Sequence, residues 1–214
     1  MRLQGAIFDM DGTLLDSMGA WGTLRSDFLR RLGKEPEETL DRALHALSME
    51  EGAAYCVERY GLSMEPKELL RRLGAEMDDF YRRRVRPKAG VERLLSILKM
   101  EGVWMYVATA TDHPLAETAL ETAGLGGYFR GVVTCGDAGH EKNHPAVYEM
   151  ALRRLRCRKE AAVVFEDSLF ALRTAKAAGF RTAAVYDASE PNQDALRAEA
   201  DYYIRSFEEW TRTE

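Results

Sequence analysis

The chain has little of what marks several large protein classes. Cysteine is scarce: Cys56, Cys135 and Cys157 are the only three in 214 residues. An odd, widely scattered set argues against a disulfide framework and fits a reducing compartment. No pair of them has metal-ligand spacing, so all three read as structural. No run approaches the ~20 apolar residues that a membrane helix needs. No charged-then-apolar segment follows Met1, so neither secretion nor a membrane partner is expected, and the expected location is cytoplasmic. Positive charge is in deficit, with 30 Lys and Arg against 35 Asp and Glu and a formal net charge of -5. A nucleic-acid-binding protein would more often be basic over at least one domain, so no such partner is expected. The local run Arg82-Arg83-Arg84 with Arg86 reads as the solvated end of a helix, where cations suit the dipole. Internal repeats and low-complexity segments are absent.

What is present is the balance of an ordinary globular protein, 46% hydrophobic and 30% charged, with length enough for one large domain or two small ones. Gly5-Ala6-Ile7-Phe8 is a short apolar run that reads as a buried parallel strand. From Ser17 to Arg86 no strand signal appears. Trp21, Leu24, Phe28, Leu29 and Leu32 recur at helical spacing before Gly33, and Pro36 opens a second helix through Leu40, Ala43, Leu44 and Leu47. Ser48 and Glu51 form a candidate capping box for a helix running to Tyr60. Pro66 opens another helix, with Leu69, Leu70, Leu73, Met77, Phe80 and Tyr81 on its apolar stripe. From Val91 onward helix and strand alternate, the mark of a parallel sheet. Strands are expected at Val103–Ala108, Gly131–Thr134, Ala162–Phe165, Thr182–Tyr186 and Tyr202–Ile204. The fold class is therefore α/β, a doubly wound and mostly parallel sheet in residues 1–16 and 87–214, with an inserted α-helical unit at 17–86.

The first strand ends in Asp9-Met10-Asp11-Gly12. It delivers two carboxylates, two residues apart, to the strand edge where ligands bind in open α/β sheets. One can attack while the other moves a proton, and Gly12 permits a tight bend close to an anion. An Asp-rich turn would account for D-x-D-G alone. A second acidic pair, Glu166-Asp167, ends another strand of the same sheet. Phosphoryl transfer needs a nucleophile, charge neutralisation and a proton donor for the leaving oxygen. Asp9, Asp11 and Asp167 offer the hard oxygen ligands that Mg²⁺ prefers. Thr109 at a strand end and Lys142 in the loop before Pro145 could complete a phosphate cradle.

The extended string Asp9-Met10-Asp11-Gly12-Thr13-Leu14-Leu15-Asp16-Ser17 resembles the first motif of the haloacid dehalogenase superfamily. Val107-Ala108-Thr109-Ala110-Thr111 resembles its second motif. Lys142-Asn143-His144-Pro145-Ala146-Val147-Tyr148 resembles the third, with Asn143 where a proline usually follows the lysine. Val163-Val164-Phe165-Glu166-Asp167-Ser168 resembles the fourth, and Ala177-Ala178-Gly179 fits behind it. The four lie in order, so the resemblance covers the whole chain.

It implies a Rossmann-like core, a helical cap at 17–86 that sequesters the reaction, and a Mg²⁺-dependent phosphomonoesterase. It also implies that Asp9 attacks phosphorus and forms an aspartyl-phosphate. Asp11 protonates the leaving alcohol and then deprotonates water. Asp9, the backbone carbonyl of Asp11 and Asp167 hold Mg²⁺, with Glu166 behind them or acting through water, while Thr109 and Lys142 bind the phosphoryl group. The substrate expected is a small phosphorylated metabolite, a sugar phosphate or a nucleotide, acted on by a monomer or weak dimer.

Dehalogenases of the superfamily lack the second carboxylate, and Asp11 is present here. The alternative is a β-phosphoglucomutase-like mutase. Such enzymes carry an arginine in a segment resembling Leu-Ser-Arg-Glu, where Leu47-Ser48-Met49-Glu50 has methionine. A non-catalytic binding protein of the same fold remains a third reading.

Overall fold

A computed structural model describes residues 3–40, 44 and 49–209. The chain divides into two compact units, Met1–Ser17 with Val85–Glu214, and Met18–Arg84. The sequence reading placed those breaks after residues 16 and 86.

The larger unit is built on a six-stranded sheet in the order β3-β2-β1-β4-β5-β6. Its strands are β1 (Gly5–Phe8), β2 (Trp104–Thr109), β3 (Val132–Thr134), β4 (Ala162–Glu166), β5 (Arg181–Val185) and β6 (Tyr202–Ile204). Every neighbouring pair is parallel. β1 and β4 are buried at every residue, which is why they read as unbroken apolar runs rather than as alternating strands. The chain winds outward from β1 through β2 to β3, then returns to the other side of β1 with β4. The winding thus reverses between β1 and β4, and Phe8 pairs with Phe165 there. Their rings stack with centroids 4.2 Å apart.

Among the described residues, the helices of the smaller unit are α1 (Met18–Trp21), α2 (Leu24–Arg31), α3 (Met49–Tyr60) and α4 (Pro66–Arg83). Those of the larger unit are α5 (Val91–Met100), α6 (His113–Thr122), α7 (Cys135–Ala138), α8 (Ala146–Leu155), α9 (Leu169–Ala177) and α10 (Gln193–Glu199). α8 lays Val147, Tyr148, Ala151 and Leu155 against Ile7, Ala108, Val133 and Val164 of the sheet. α9 packs Leu169 and Leu172 with Ala184 and with Leu196 of α10.

In the smaller unit α4 buries Leu69, Leu73, Met77 and Tyr81 at a spacing of four. The stripe expected as one helix from Trp21 to Leu32 is two, because the chain turns at Gly22 and Thr23 between α1 and α2. Half of the helix expected from Pro36 to Leu47, and the cap at Ser48, lie outside the described residues. No helix among the described residues is long and apolar enough to cross a membrane.

Candidate active site

Parallel pairing aligns the C-terminal tips of the strands. Asp9 follows β1 directly, and its backbone N–H donates to the Phe165 carbonyl of β4 at 2.9 Å. Glu166 ends β4, and Asp167 follows it. The two acidic pairs, more than 150 residues apart in sequence, therefore meet where the winding reverses, the usual ligand crevice of such sheets. Thr109 ends β2 on the other side of β1 and is 1% exposed.

One face of this crevice is a buried ion cluster. Lys142 is 6% exposed, as is Asp9. The Lys142 ammonium donates to Asp9 Oδ1 and, at 2.6 Å, to Glu166 Oε1. Tyr148 of α8 donates its hydroxyl to the same Oε1 at 2.7 Å. Thr13 donates to Asp167 Oδ1 at 2.9 Å. Asp9, Glu166 and Asp167 each place a carboxylate oxygen within 4.8 Å of the others.

Burial pushes the Asp9 carboxyl up to about 6, with the neighbouring Glu166 charge adding to the effect and the Lys142 ammonium opposing it. Asp167 is raised well above the usual carboxylate range by burial, then by the charges of Asp9 and Glu166. Burial alone would lower the Lys142 ammonium, but the two carboxylates outweigh it and hold it above its ordinary value. Three converging, desolvated carboxylates with a single ammonium have an unmet demand for positive charge. All-oxygen donors at this separation fit a hard divalent cation such as Mg²⁺. A softer ion would favour sulfur or imidazole.

Asp11 faces differently. Ser17 Oγ donates to its Oδ1 at 2.6 Å and Thr111 Oγ1 to its Oδ2 at 2.7 Å. Both oxygens are held, so the side chain is fixed beside the cluster rather than within the three-carboxylate group. Gly12 takes the left-handed conformation that the turn after Asp11 requires, φ 83°. The Thr111 N–H donates to Thr109 Oγ1 at 3.0 Å, which ties the second strand tip to the same network.

The structure thus brings Asp9, Lys142, Glu166 and Asp167 into direct contact or close approach, with Asp11 and Thr109 on the neighbouring turn and strand. Glu166, read from sequence as an outer or water-mediated residue, places its carboxylate among the other two. Asn143 is exposed in a turn in which His144 N–H donates to the Glu141 carbonyl at 2.9 Å. The missing proline does not keep Lys142 from the cluster. The sequence reading gave no role to Thr13, Ser17, Thr111 or Tyr148. All four lie inside the quoted motifs, and that position was the available signal; nothing in the pattern tells Tyr148 from a core aromatic. Cys135 lies close by, but burial pushes its thiol up to about 12, which disfavours the thiolate that a nucleophile needs.

Trp21 belongs to the helical unit, where its Nε1 donates to Tyr81 OH at 3.0 Å.

Comparison with known proteins finds relatives of the whole chain. The chain is 27% identical over 177 residues to a phosphorylated carbohydrates phosphatase of Thermotoga maritima, covering 83% of this chain and 82% of that one. It is 27% identical over 183 residues to fructose-1-phosphate phosphatase YqaB of Escherichia coli, covering 83% and 94%. The solved structure of CbbY from Rhodobacter sphaeroides in complex with phosphate superposes with a TM-score of 0.83 at 24% identity, over 97% and 96% of the two chains, and so shares the fold. Residues 6–185 match the haloacid dehalogenase-like hydrolases as a family, a span that runs from the second residue of β1 to the end of β5 and takes in both acidic strand tips. The chain belongs to the haloacid dehalogenase-like hydrolase family.

Proposed function

We propose that this phosphatase is a Mg²⁺-dependent phosphomonoesterase working through a covalent phosphoryl group on Asp9. The observation that carries the reading is the setting of Asp9 at the tip of β1. It lies against a buried ammonium and two further carboxylates, with Asp11 two residues on and held by two hydroxyls.

In the first half-reaction an Asp9 oxygen forms a bond to phosphorus as the bond to the leaving oxygen breaks. Asp11 gives that oxygen a proton. In the second half a water attacks phosphorus and loses a proton to Asp11, and the Asp9–phosphorus bond breaks to restore the carboxylate. Ser17 and Thr111 keep the Asp11 carboxyl in one orientation for both transfers. Lys142 and Thr109 bind phosphoryl oxygens, and Tyr148 and Lys142 together fix Glu166. Asp9, Glu166 and Asp167, with the Asp11 carbonyl, would hold the cation. When bound, it neutralises charge on the transferring phosphoryl group.

The helical unit, inserted between the first two motifs, is proposed to supply substrate selectivity. The relatives named for phosphorylated carbohydrates and fructose 1-phosphate make sugar phosphates the first class to examine.

A phosphate-release screen over sugar phosphates, nucleotides and other small phosphomonoesters tests this, run with wild type and with Asp9→Asn. The expected result is hydrolysis of a narrow set, reduced at least about a thousandfold in the variant and abolished by EDTA. Release that survives Asp9→Asn would remove Asp9 as nucleophile. Undiminished release in excess EDTA would remove the cation. Isomerisation of β-glucose 1-phosphate without net release would make the protein a mutase.

A further inference from the structure

Asp167 stands between a strand and a helix, and the two sides hold it differently. On the strand side Glu166 pairs with Ala184 in the β4–β5 ladder. On the helix side a single extended residue, Ser168, leads into α9 (φ -95°, ψ 129°). The first N–H groups of a helix have no acceptor within it, and a serine just before the helix is a common side chain to supply one. Ser168 makes no such bond. The Leu169 N–H, two residues after Asp167, donates instead to Glu190 Oε2 at 2.9 Å. Glu190 comes from the loop after β5, and its sequence position lies outside all four motifs.

That loop is pinned at several points. The second Glu190 oxygen, Oε1, accepts the Asn192 N–H at 2.8 Å. The Glu190 N–H donates to the Asp187 carbonyl at 3.2 Å. Gln193 Nε2 donates to the carbonyls of Asp187 at 2.6 Å and of Glu190 at 3.2 Å. The Asp187 carboxylate takes the Ser189 hydroxyl at 2.6 Å and the Lys88 ammonium at 2.7 Å. Glu190 is thus presented to α9 in one orientation, and its bond to the helix is charge-assisted and favoured by the dipole.

The need for such an anchor is electrostatic. Asp9, Glu166 and Asp167 place carboxylate oxygens within 4.8 Å of one another, and like charges at that distance repel. Thr13 holds the Asp167 side chain at Oδ1. The backbone behind it is the start of a helix, and helix ends fray.

We propose that Glu190 is a positioning residue for the cation site: by accepting the Leu169 N–H it fixes the turn that carries Asp167 and keeps that carboxylate converged on Asp9 and Glu166. Its role is exerted through the backbone and not by contact with the cation. The inference rests on the cation reading above.

The test uses the full chain with Mn²⁺ as the probe. Affinity is read from the EPR signal of the free ion, and the site is identified by displacement with Mg²⁺. Glu190→Ala removes the acceptor, whereas Glu190→Gln keeps an oxygen at the same reach without the charge. Asp201→Ala takes the acceptor from the Thr182 N–H and hydroxyl near the start of β5, away from the strand tips, and serves as the control for stability alone. The expected result is Mn²⁺ affinity about tenfold weaker in Glu190→Ala, as for other groups that hold metal ligands, and within about twofold of wild type in Glu190→Gln and Asp201→Ala. Exchange of the Leu169 amide hydrogen should quicken more in Glu190→Ala than in Glu190→Gln. Wild-type affinity in Glu190→Ala overturns the proposal. So does an equal loss in Asp201→Ala, which would make the effect one of stability, or in Glu190→Gln, which would make it one of charge. Where Glu190→Ala does not fold, Glu190→Asp, shorter by a methylene and unable to reach Leu169, takes its place with the same expectations. No Mn²⁺ uptake by wild type would end the cation reading and this inference with it. Uptake that is indifferent to the side chain at position 190 ends this inference alone.

Discussion

At the scale of residues, the site is a balance of buried charge. Lys142 is the ammonium shared by Asp9 and Glu166, so Lys142→Met leaves desolvated carboxylates facing one another. Breaking a buried pair by removing one partner costs about 3–5 kcal/mol. Urea unfolding without divalent cation should show that loss, and added Mg²⁺ should recover part of it, because a cation bound only to the folded form stabilises by mass action. No effect of Mg²⁺ on the variant's midpoint would contradict the cation site. Tyr148→Phe removes only the hydroxyl that reaches Glu166. It should cost about 1 kcal/mol in unfolding free energy and raise the Mg²⁺ concentration needed for half-maximal rate. A stability loss with no change in Mg²⁺ response would limit Tyr148 to packing. Asp9, Asp11, Thr109, Lys142 and Asp167 were named from the sequence because phosphoryl transfer demands their types and the motifs fix their spacing. The hydroxyls of Ser17 and Thr111 were not, since serine and threonine are common and only the fold shows which carboxylate they reach. Tyr148 was hidden for a further reason. It lies on the buried stripe of α8 with Val147, Ala151 and Leu155, and periodicity cannot tell a phenol with a partner from a core ring.

At the scale of elements, start and stop chemistry was the most readable feature and short elements the least. Gly90 shows how much a single boundary can carry. It precedes α5 with φ 81°, and a methyl group there would sit 2.4 Å from the Glu208 N. Gly90→Ala therefore meets both a disfavoured backbone conformation and fixed backbone atoms. The loss should exceed about 2 kcal/mol by thermal or urea denaturation, and a variant as stable as wild type would contradict the close approach of these two segments. α7 went unread because it is four residues long and has no apolar period. Its signal is local, the capping box in which Thr134 and Asp137 satisfy each other's N–H groups. β2 runs one residue later than the apolar run suggested. Pairing with β1 sets its register, with Gly5 opposite Trp104, and a neighbouring strand is not visible in a local window. The break at Gly22 was missed for a related reason, because apolar spacing continues across it from Trp21 to Leu24.

At the scale of the whole molecule, alternation of helix and strand identified a parallel sheet, but strand order came only with the structure. The order places β1 in the interior of the sheet with β2 and β4 on either side, which explains how motifs scattered over the chain come together at one edge. Long-range ion pairing also ties distant segments within the larger unit. Lys88, just after the helical insertion, pairs with Asp187 beyond β5 at 2.7 Å. Burial would raise the Asp187 carboxyl, but hydrogen bonds from Lys88 and Ser189 outweigh it and hold it below its ordinary value. A carboxyl depressed in the folded state adds stability above its unfolded value and loses it as pH falls through the folded one. Stability should therefore drop below about pH 4, and Asp187→Asn should flatten that part of the curve measured by urea titration. An unchanged acid limb would mean the pair contributes nothing. The central claim, a covalent phosphoryl group on Asp9, has a direct test. Rapid quench during turnover of a good substrate, followed by borohydride, reduces an aspartyl-phosphate to homoserine, which peptide mass spectrometry can locate. The account predicts homoserine at position 9 in wild type, dependent on substrate and Mg²⁺. Turnover with no reduced residue there, or with reduction at another aspartate, would contradict it.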